Sequence, residues 1–128
     1  MSHWTVCKLK IKNPDIQLLR QALEIIAKEL NSEIAENFLV RGYRASRKCI
    51  YAIPLSLPYG NGYGIYLQNG EIRVVVDDHG APLRASEFAA KLQQYYVSLA
   101  VAQAASQMGF QVSNLQETPQ GVIMDLVR

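Results

Sequence analysis

The sequence concentrates positive charge around Gly42 and Tyr43. Four cations lie within eight residues of each other: Arg41, Arg44, Arg47 and Lys48. Such groups beside an aromatic ring suit phosphate or an acidic protein, because the cations pair with anions while the ring stacks on a base. The alternative is a solvated hairpin end whose arginine side chains lie over a sheet. Tyr43 and these four cations are therefore candidate binding residues, and both interpretations stay open.

Two carboxylates and an imidazole follow one another at Asp77, Asp78 and His79, directly after a run of strand-forming residues. Side chains of these types ligate metal ions or act as general bases near strand ends. Neighbouring strand residues point to opposite faces, however, and no third ligand is identifiable. The simpler interpretation is a turn whose aspartate side chains accept hydrogen bonds from nearby backbone N–H groups. No metal site, cofactor or catalytic residue is predicted, and a small-ligand or metal-dependent enzyme is kept as the weakest alternative.

A long loop is predicted from residue 54 to residue 64, which contains two prolines and three glycines. The glycines resemble a phosphate-binding loop, but a strand follows them where a phosphate site needs a helix N-terminus. Tyrosines suit the loop better to docking against a partner, since they bury a large area at low entropic cost. Tyr59 and Tyr63 are therefore predicted to be binding residues.

The two cysteines, Cys7 and Cys49, stand in apolar, strand-like runs with no CxxC pair and no histidine at ligand spacing. They carry no signature of a zinc site and are interpreted as small buried hydrophobic residues, with a disulfide or redox pair as the alternative. No spacing of Ser, His and Asp, or of Cys and His, sets a nucleophile apart. A non-catalytic protein is favoured, and whether the chain is an enzyme stays open.

The elements that would position these residues follow from hydrophobic periodicity. Alternation from His3 to Ile11 predicts a half-buried strand. Asn13-Pro14-Asp15 then supplies an N-cap at Asn13 and a proline in the first turn, which predicts a helix to about Leu30. Two runs rich in strand-forming residues, 34–40 and 48–55, predict neighbouring antiparallel strands.

The second half of the chain carries stronger local signals. Asn69-Gly70 between two apolar runs predicts a hairpin over residues 65–76, because this dipeptide adopts the two positive φ angles of a type I′ turn. A long second helix with an alanine-rich centre is expected to end at a left-handed cap at Gly109. Residues 110–115 and 121–127, joined around Thr118-Pro119-Gln120-Gly121, predict a closing hairpin.

The predicted order is β-α-β-β-β-β-α-β-β, which indicates an α+β fold in two layers, with one twisted, mainly antiparallel sheet and both helices on one face. With 128 residues and no linker or repeat, we expect a single domain over residues 1–128. The net charge of +2 is too small to imply nucleic acid or an acidic membrane, so any basic site is local. The absence of a leader pattern and of an apolar run of about 18 residues predicts a cytoplasmic protein.

Several short segments resemble domain-of-unknown-function family 1257, which includes the chloroplast and cyanobacterial ycf-thirty-five-like proteins and their prokaryotic relatives. These segments are Met1 to Trp4, Val40-Arg41-Gly42-Tyr43, Lys91 to Tyr96, Gln107-Met108-Gly109-Phe110 and Val122 to Arg128. The likeness spans essentially the whole chain. It implies a small soluble cytoplasmic or stromal protein, and it brings no established activity and no catalytic residues.

We therefore expect a non-catalytic accessory protein that binds another protein or a second copy of itself, with no membrane partner. The tyrosine-rich loop or an exposed sheet edge would form the contact. The main alternative is a nucleic-acid- or ribosome-associated protein that uses the basic cluster.

Overall fold

A computed structural model of the chain describes residues 3–118 and 121–128. The α+β class and the predicted element order are confirmed. The elements are β1 (Trp4–Lys12), α1 (Ile16–Glu29), β2 (Ala35–Gly42), β3 (Ala45–Pro54), β4 (Gly62–Gln68), β5 (Glu71–Asp77), α2 (Ala85–Gln107), β6 (Gln111–Thr118) and β7 (Gly121–Val127). Pro119 and Gln120 of the last predicted turn, and Met1 and Ser2 of the resemblance, lie outside the described residues.

Local sequence signals explain where several elements begin and end. The β4–β5 hairpin turns at Asn69 and Gly70, both with positive φ, as predicted for a type I′ turn. Helix α2 ends next to Gly109, which has a φ of 87°. The N-cap of α1 is Asp15, whose carboxylate accepts from Gln17 N and Leu18 N, and the expectation of Asn13 was wrong. Asn13 takes a positive φ in the preceding turn, where its backbone N–H donates to Gly70.

The main sheet has five antiparallel strands in the order β1-β5-β4-β3-β2. Both helices cover one face of it, and their apolar residues pack with those of the strands into the larger core. Central members of that core are Leu19, Leu23, Ile26, Ile53, Ile65, Ile72, Val74, Phe88 and Leu92. Burial of these side chains provides the main stabilisation of the fold.

A second, smaller core lies on the other face of the sheet, where the β2–β3 hairpin curls over β4 and β5. Val40 and Cys49 of the hairpin pack there with Tyr66 and Val75. The close approach depends on Gly64, because a Cβ at this position would come within 2.5 Å of Val40 Cγ2 and closer still to Cys49 Sγ. The curl therefore brings the hairpin end towards β1 and β5.

The two cysteines are on different faces of the sheet. Cys7 is partly buried against the core under the helices, whereas Cys49 is fully buried in the smaller core. Both thiols are free. Burial raises the pKa of the Cys49 thiol to about 11, so this group stays protonated at neutral pH.

The closing hairpin departs from the expectation of one sheet, since β6 and β7 form a two-stranded sheet of their own. Helix α2 has 23 residues and is about 35 Å long at the usual rise of an α-helix. Strand β5, which precedes it, has seven residues and spans only about 23 Å. The chain that follows α2 therefore begins beyond the ends of the main-sheet strands. For this reason β6 and β7 pair with each other and not with the main sheet.

Candidate functional site

Three segments that are separated in the sequence meet at one end of the main sheet. They are the β2–β3 turn, the loop between β3 and β4, and the turn after β5. The Tyr43 and Tyr59 rings meet edge to face with centroids 6.0 Å apart, and the Tyr59 ring lies 5.2 Å from that of His79. The Arg44 guanidinium lies over the Tyr43 ring at 5.1 Å. We call Arg44, Tyr43, Tyr59 and His79 the aromatic strip.

The rings of the aromatic strip remain accessible to a partner. Tyr43 is 52% exposed and Tyr59 is 40% exposed, although both side chains are large and largely apolar. Arg44 and His79 are exposed as well. A row of exposed aromatic and cationic groups is the composition found at the centres of protein interfaces.

Asp77 holds the backbone beneath the strip in place. Its side chain is fully buried, and its two oxygens accept from His3 N at 2.7 Å and from Tyr43 N at 3.1 Å. Asp77 accepts hydrogen bonds from backbone N–H groups, but the prediction that these donors lie nearby in sequence was wrong, because they belong to residues 3 and 43. Because these bonds join the start of β1 to the end of β2, Asp77 fixes the position from which Tyr43 projects.

Asp78 is nearly buried and points to a different set of groups. Its Oδ2 accepts from Ala85 N at 2.7 Å, at the start of α2, where the helix dipole favours a negative charge. Its Oδ1 has no hydrogen bond from any described residue, and His3 Nδ1 lies at ion-pair distance, 2.9 Å away. That ion pair requires a protonated His3.

The Asp77-Asp78-His79 triplet does not converge on one point. The two carboxylates are turned inward to separate partners, and the His79 ring is turned outward to Tyr59. Among residues 3–118 and 121–128, no group of three or more His, Cys, Asp or Glu side chains is placed to hold a metal ion. The triplet therefore positions the backbone, and neither of its carboxylates is directed at the His79 ring.

The four predicted cations do not form one cluster. Arg44 belongs to the aromatic strip, whereas Arg47 lies over the Tyr66 ring at 3.9 Å, on the face of the smaller core. Lys48, the next residue of β3, points to the other side of the strand. Arg41 is exposed near the strip. None of the four takes part in an ion pair within the described part of the chain, so their charges are free to meet an external anion.

The prediction that Tyr63 is available to a partner does not agree with its position. Tyr63 is fully buried in β4, and its ring stacks on Phe88 with centroids 4.5 Å apart. Its hydroxyl donates to Leu83 O at 2.7 Å and accepts from Leu83 N at 3.0 Å. Burial raises the pKa of this hydroxyl. Strand β4 begins at Gly62, so Tyr63 already faces the helices and stabilises the fold.

Sequence reasoning missed Asn61, which forms hydrogen bonds with the backbone of the edge strand β2. Its side chain accepts from Arg41 N at 2.7 Å and donates to Leu39 O at 3.0 Å. Its backbone N–H donates to Arg41 O at 3.2 Å. The only local signal was its place between two glycines, which indicates a turn. That signal does not predict hydrogen bonds from the Asn61 side chain to the backbone of β2.

The sequence profile of the family described as "Protein of unknown function (DUF1257)" matches residues 23–126. The chain belongs to this family. The match includes all four residues of the aromatic strip and the two aspartates beneath it. No curated protein and no solved structure matches the chain.

Neither α1 nor α2, nor any other helix within residues 3–118 and 121–128, is long and apolar enough to cross a membrane.

Proposed function

We propose that the protein is a non-catalytic binding module whose aromatic strip docks an acidic segment of a partner protein. The observation that carries this proposal is the exposed row of Arg44, Tyr43, Tyr59 and His79 at one end of the sheet. Interfaces of this kind derive most of their affinity from a few aromatic and arginine side chains.

The strip is held rigidly before any partner binds. Tyr43 projects from a backbone position tied to buried Asp77, and the loop that carries Tyr59 is joined to β2 through Asn61. A preorganised surface gains affinity because little conformational entropy is lost on binding. An acidic partner is favoured because Arg41 and Arg44 have no ion-pair partner among the described residues.

The ring geometry supports a protein partner over a nucleic acid. Base stacking needs an open ring face, whereas one face of Tyr43 is covered by Arg44 and the Tyr43 and Tyr59 rings already contact each other edge to face. The four cations also point in several directions, which does not suit a continuous phosphate backbone.

The test is affinity capture with the immobilised protein, followed by measurement of the dissociation constant for the captured partner. The Tyr59→Ala variant should weaken binding by about 10-fold or more, as expected for an interface hot spot. Leu39→Ala is the matched control, because Leu39 is 48% exposed on β2 but is not part of the strip. Equal capture by a Tyr43→Ala/Tyr59→Ala double variant would contradict the proposal.

Binding of nucleic acid is the second candidate. It is favoured by four cations that form no ion pair with any described residue: Arg41, Arg44, Arg47 and Lys48. Filter binding to single- and double-stranded RNA and DNA across a salt series tests it. Affinity that falls with salt and is lost when Arg41, Arg44 and Arg47 become alanine would support this function. Binding that is unaffected by salt and by these three substitutions would exclude this function.

Within the family, we propose that this chain is related to the chloroplast and cyanobacterial ycf-thirty-five-like proteins and acts as a single domain in the cytoplasm. The support is sequence likeness in short segments, such as Val40-Arg41-Gly42-Tyr43 before β3 and Gln107-Met108-Gly109-Phe110 after α2. Fractionation of the source cells, with immunodetection of the native protein, checks the location.

A further inference from the structure

An apolar groove lies between the C-terminal half of α2 and β7, away from the aromatic strip. It has a volume of about 440 Å³, and its apolar walls are Val97 and Val101 of α2 and Met124 and Leu126 of β7. Val97, Val101 and Leu126 are each more than 40% exposed. We call this feature the hairpin groove. Contiguous exposed apolar surface of this kind marks an interaction site.

Among the described residues, none of those that line the hairpin groove is charged, although Asp125 lies between two of them on β7 and is exposed. Residues 92–116 contain no Asp, Glu, Lys, Arg or His, although charged residues make up 19% of the chain. A partner selected by charge would find nothing to pair with along this part of α2 and β6. A second copy of the same surface would meet it without placing like charges together, which would otherwise cost several kcal/mol.

The accessible area also agrees with a missing partner. The chain exposes 7614 Å², whereas a folded monomer of this mass is expected to expose about 6,800 Å². The excess of about 800 Å² equals the share that one protomer contributes to an interface of standard size. The β6–β7 hairpin accounts for this shape, because a two-stranded sheet standing outside the main sheet has no core of its own.

We propose that a second copy of this chain covers the hairpin groove, so that the protein is a two-fold symmetric dimer. In such a dimer the same patch is used by both copies, and each groove packs against the α2–hairpin surface of the other. The small, exposed Ala104 on the same helix lets the two helices approach closely. The aromatic strip, near the N-terminal end of α2, stays free for the acidic partner.

The experiment measures the molar mass of the full chain by light scattering and sedimentation equilibrium over a wide concentration range. The expected mass is twice the 14.3 kDa of one chain. Val101→Glu should raise the dimer dissociation constant by about 100-fold or more, because the dimer would then bury two like charges. Leu126→Gln tests the other wall of the groove. Leu39→Glu is the control, since Leu39 is as exposed as Val101 but lies on β2.

Dissociation of both groove variants, with an intact dimer in the control, supports the proposal. A wild-type mass of one chain at every concentration overturns it, as does a dimer that is unaffected by both groove changes or is equally disrupted by Leu39→Glu. Circular dichroism shows that each variant is folded, and if Val101→Glu does not fold, Leu126→Gln decides the question. Capture of an acidic partner is measured separately with Tyr59→Ala, so failure of one proposal is distinguishable from failure of the other.

Discussion

Replacement of Asp77 should destabilise the protein more than the small size of this side chain suggests. The Asp77→Ala change removes the acceptors of His3 N and Tyr43 N, which now bond to a fully buried carboxylate at 2.7 and 3.1 Å. A hydrogen bond to a charged group contributes about 1.5–3 kcal/mol to stability. Loss of two such bonds would therefore lower the free energy of unfolding by at most about 6 kcal/mol.

The net effect should be smaller than this limit for two reasons. The change also removes a buried negative charge, whose desolvation opposes folding. His3 and Tyr43 have exposed side chains, so water can reach their backbone N–H groups once this end of the sheet opens. We expect a loss of about 3 kcal/mol in the free energy of unfolding for Asp77→Ala. Asp77→Asn should cost about 2 kcal/mol, because its amide N–H₂ would face a backbone donor.

Urea unfolding followed by circular dichroism measures both losses. Trp4, the only tryptophan, gives a local signal because it packs beside Gly42 at the same end of the sheet. Its fluorescence should report greater solvent access in folded Asp77→Ala. Asp125→Ala is the matched control, since Asp125 is exposed on β7. A loss below about 0.5 kcal/mol in Asp77→Ala, the range of ordinary surface changes, would refute the assigned role.

Three further predictions concern the two cores. Gly64→Ala should destabilise the protein by about 1–3 kcal/mol or more, because its Cβ would meet Val40 and Cys49; an unchanged melting temperature would contradict the curl of the β2–β3 hairpin. Tyr63→Phe leaves Leu83 N and Leu83 O unpaired and should cost about 2 kcal/mol in urea unfolding, whereas a neutral result would show that water replaces the hydroxyl. The pKa of Cys49 is raised to about 11, so the folded state retains a proton that the unfolded thiol loses near pH 9. The associated stability, about 2–3 kcal/mol, should be present below pH 9 and lost as the pH rises to 11. Stability profiles of wild type and Cys49→Ala over that range should diverge, and parallel profiles would exclude this effect.

Elements defined by neighbouring residues could be predicted from the sequence. The β4–β5 turn takes its positive φ angles at Asn69 and Gly70, and the end of α2 takes one at Gly109. The identity of the α1 cap was wrong by two residues, because Asn13 interacts with Gly70 across the fold. Such an interaction leaves no trace in the local pattern.

The candidate site was predicted only in part. Tyr43, Arg44 and Tyr59 were selected from composition and lie together in the aromatic strip, but no local pattern joined them to His79. Tyr63 was selected for the same reason as Tyr59 and lies in the core instead. These two tyrosines are four positions apart, and the difference arises because β4 begins between them, at Gly62.

The sequence by itself determined the secondary structure, the α+β class and the family, since periodicity, turn residues and short motifs are properties of neighbouring residues. Only the tertiary structure decided which side chains meet. Asp77 joins β1 to β2 across the sheet, and the curl permitted by Gly64 carries the hairpin end to that point. Contacts between distant segments depend on how the strands twist and pack. Hydrophobic burial drives this packing but is non-directional, so a local sequence pattern does not specify which distant residues meet.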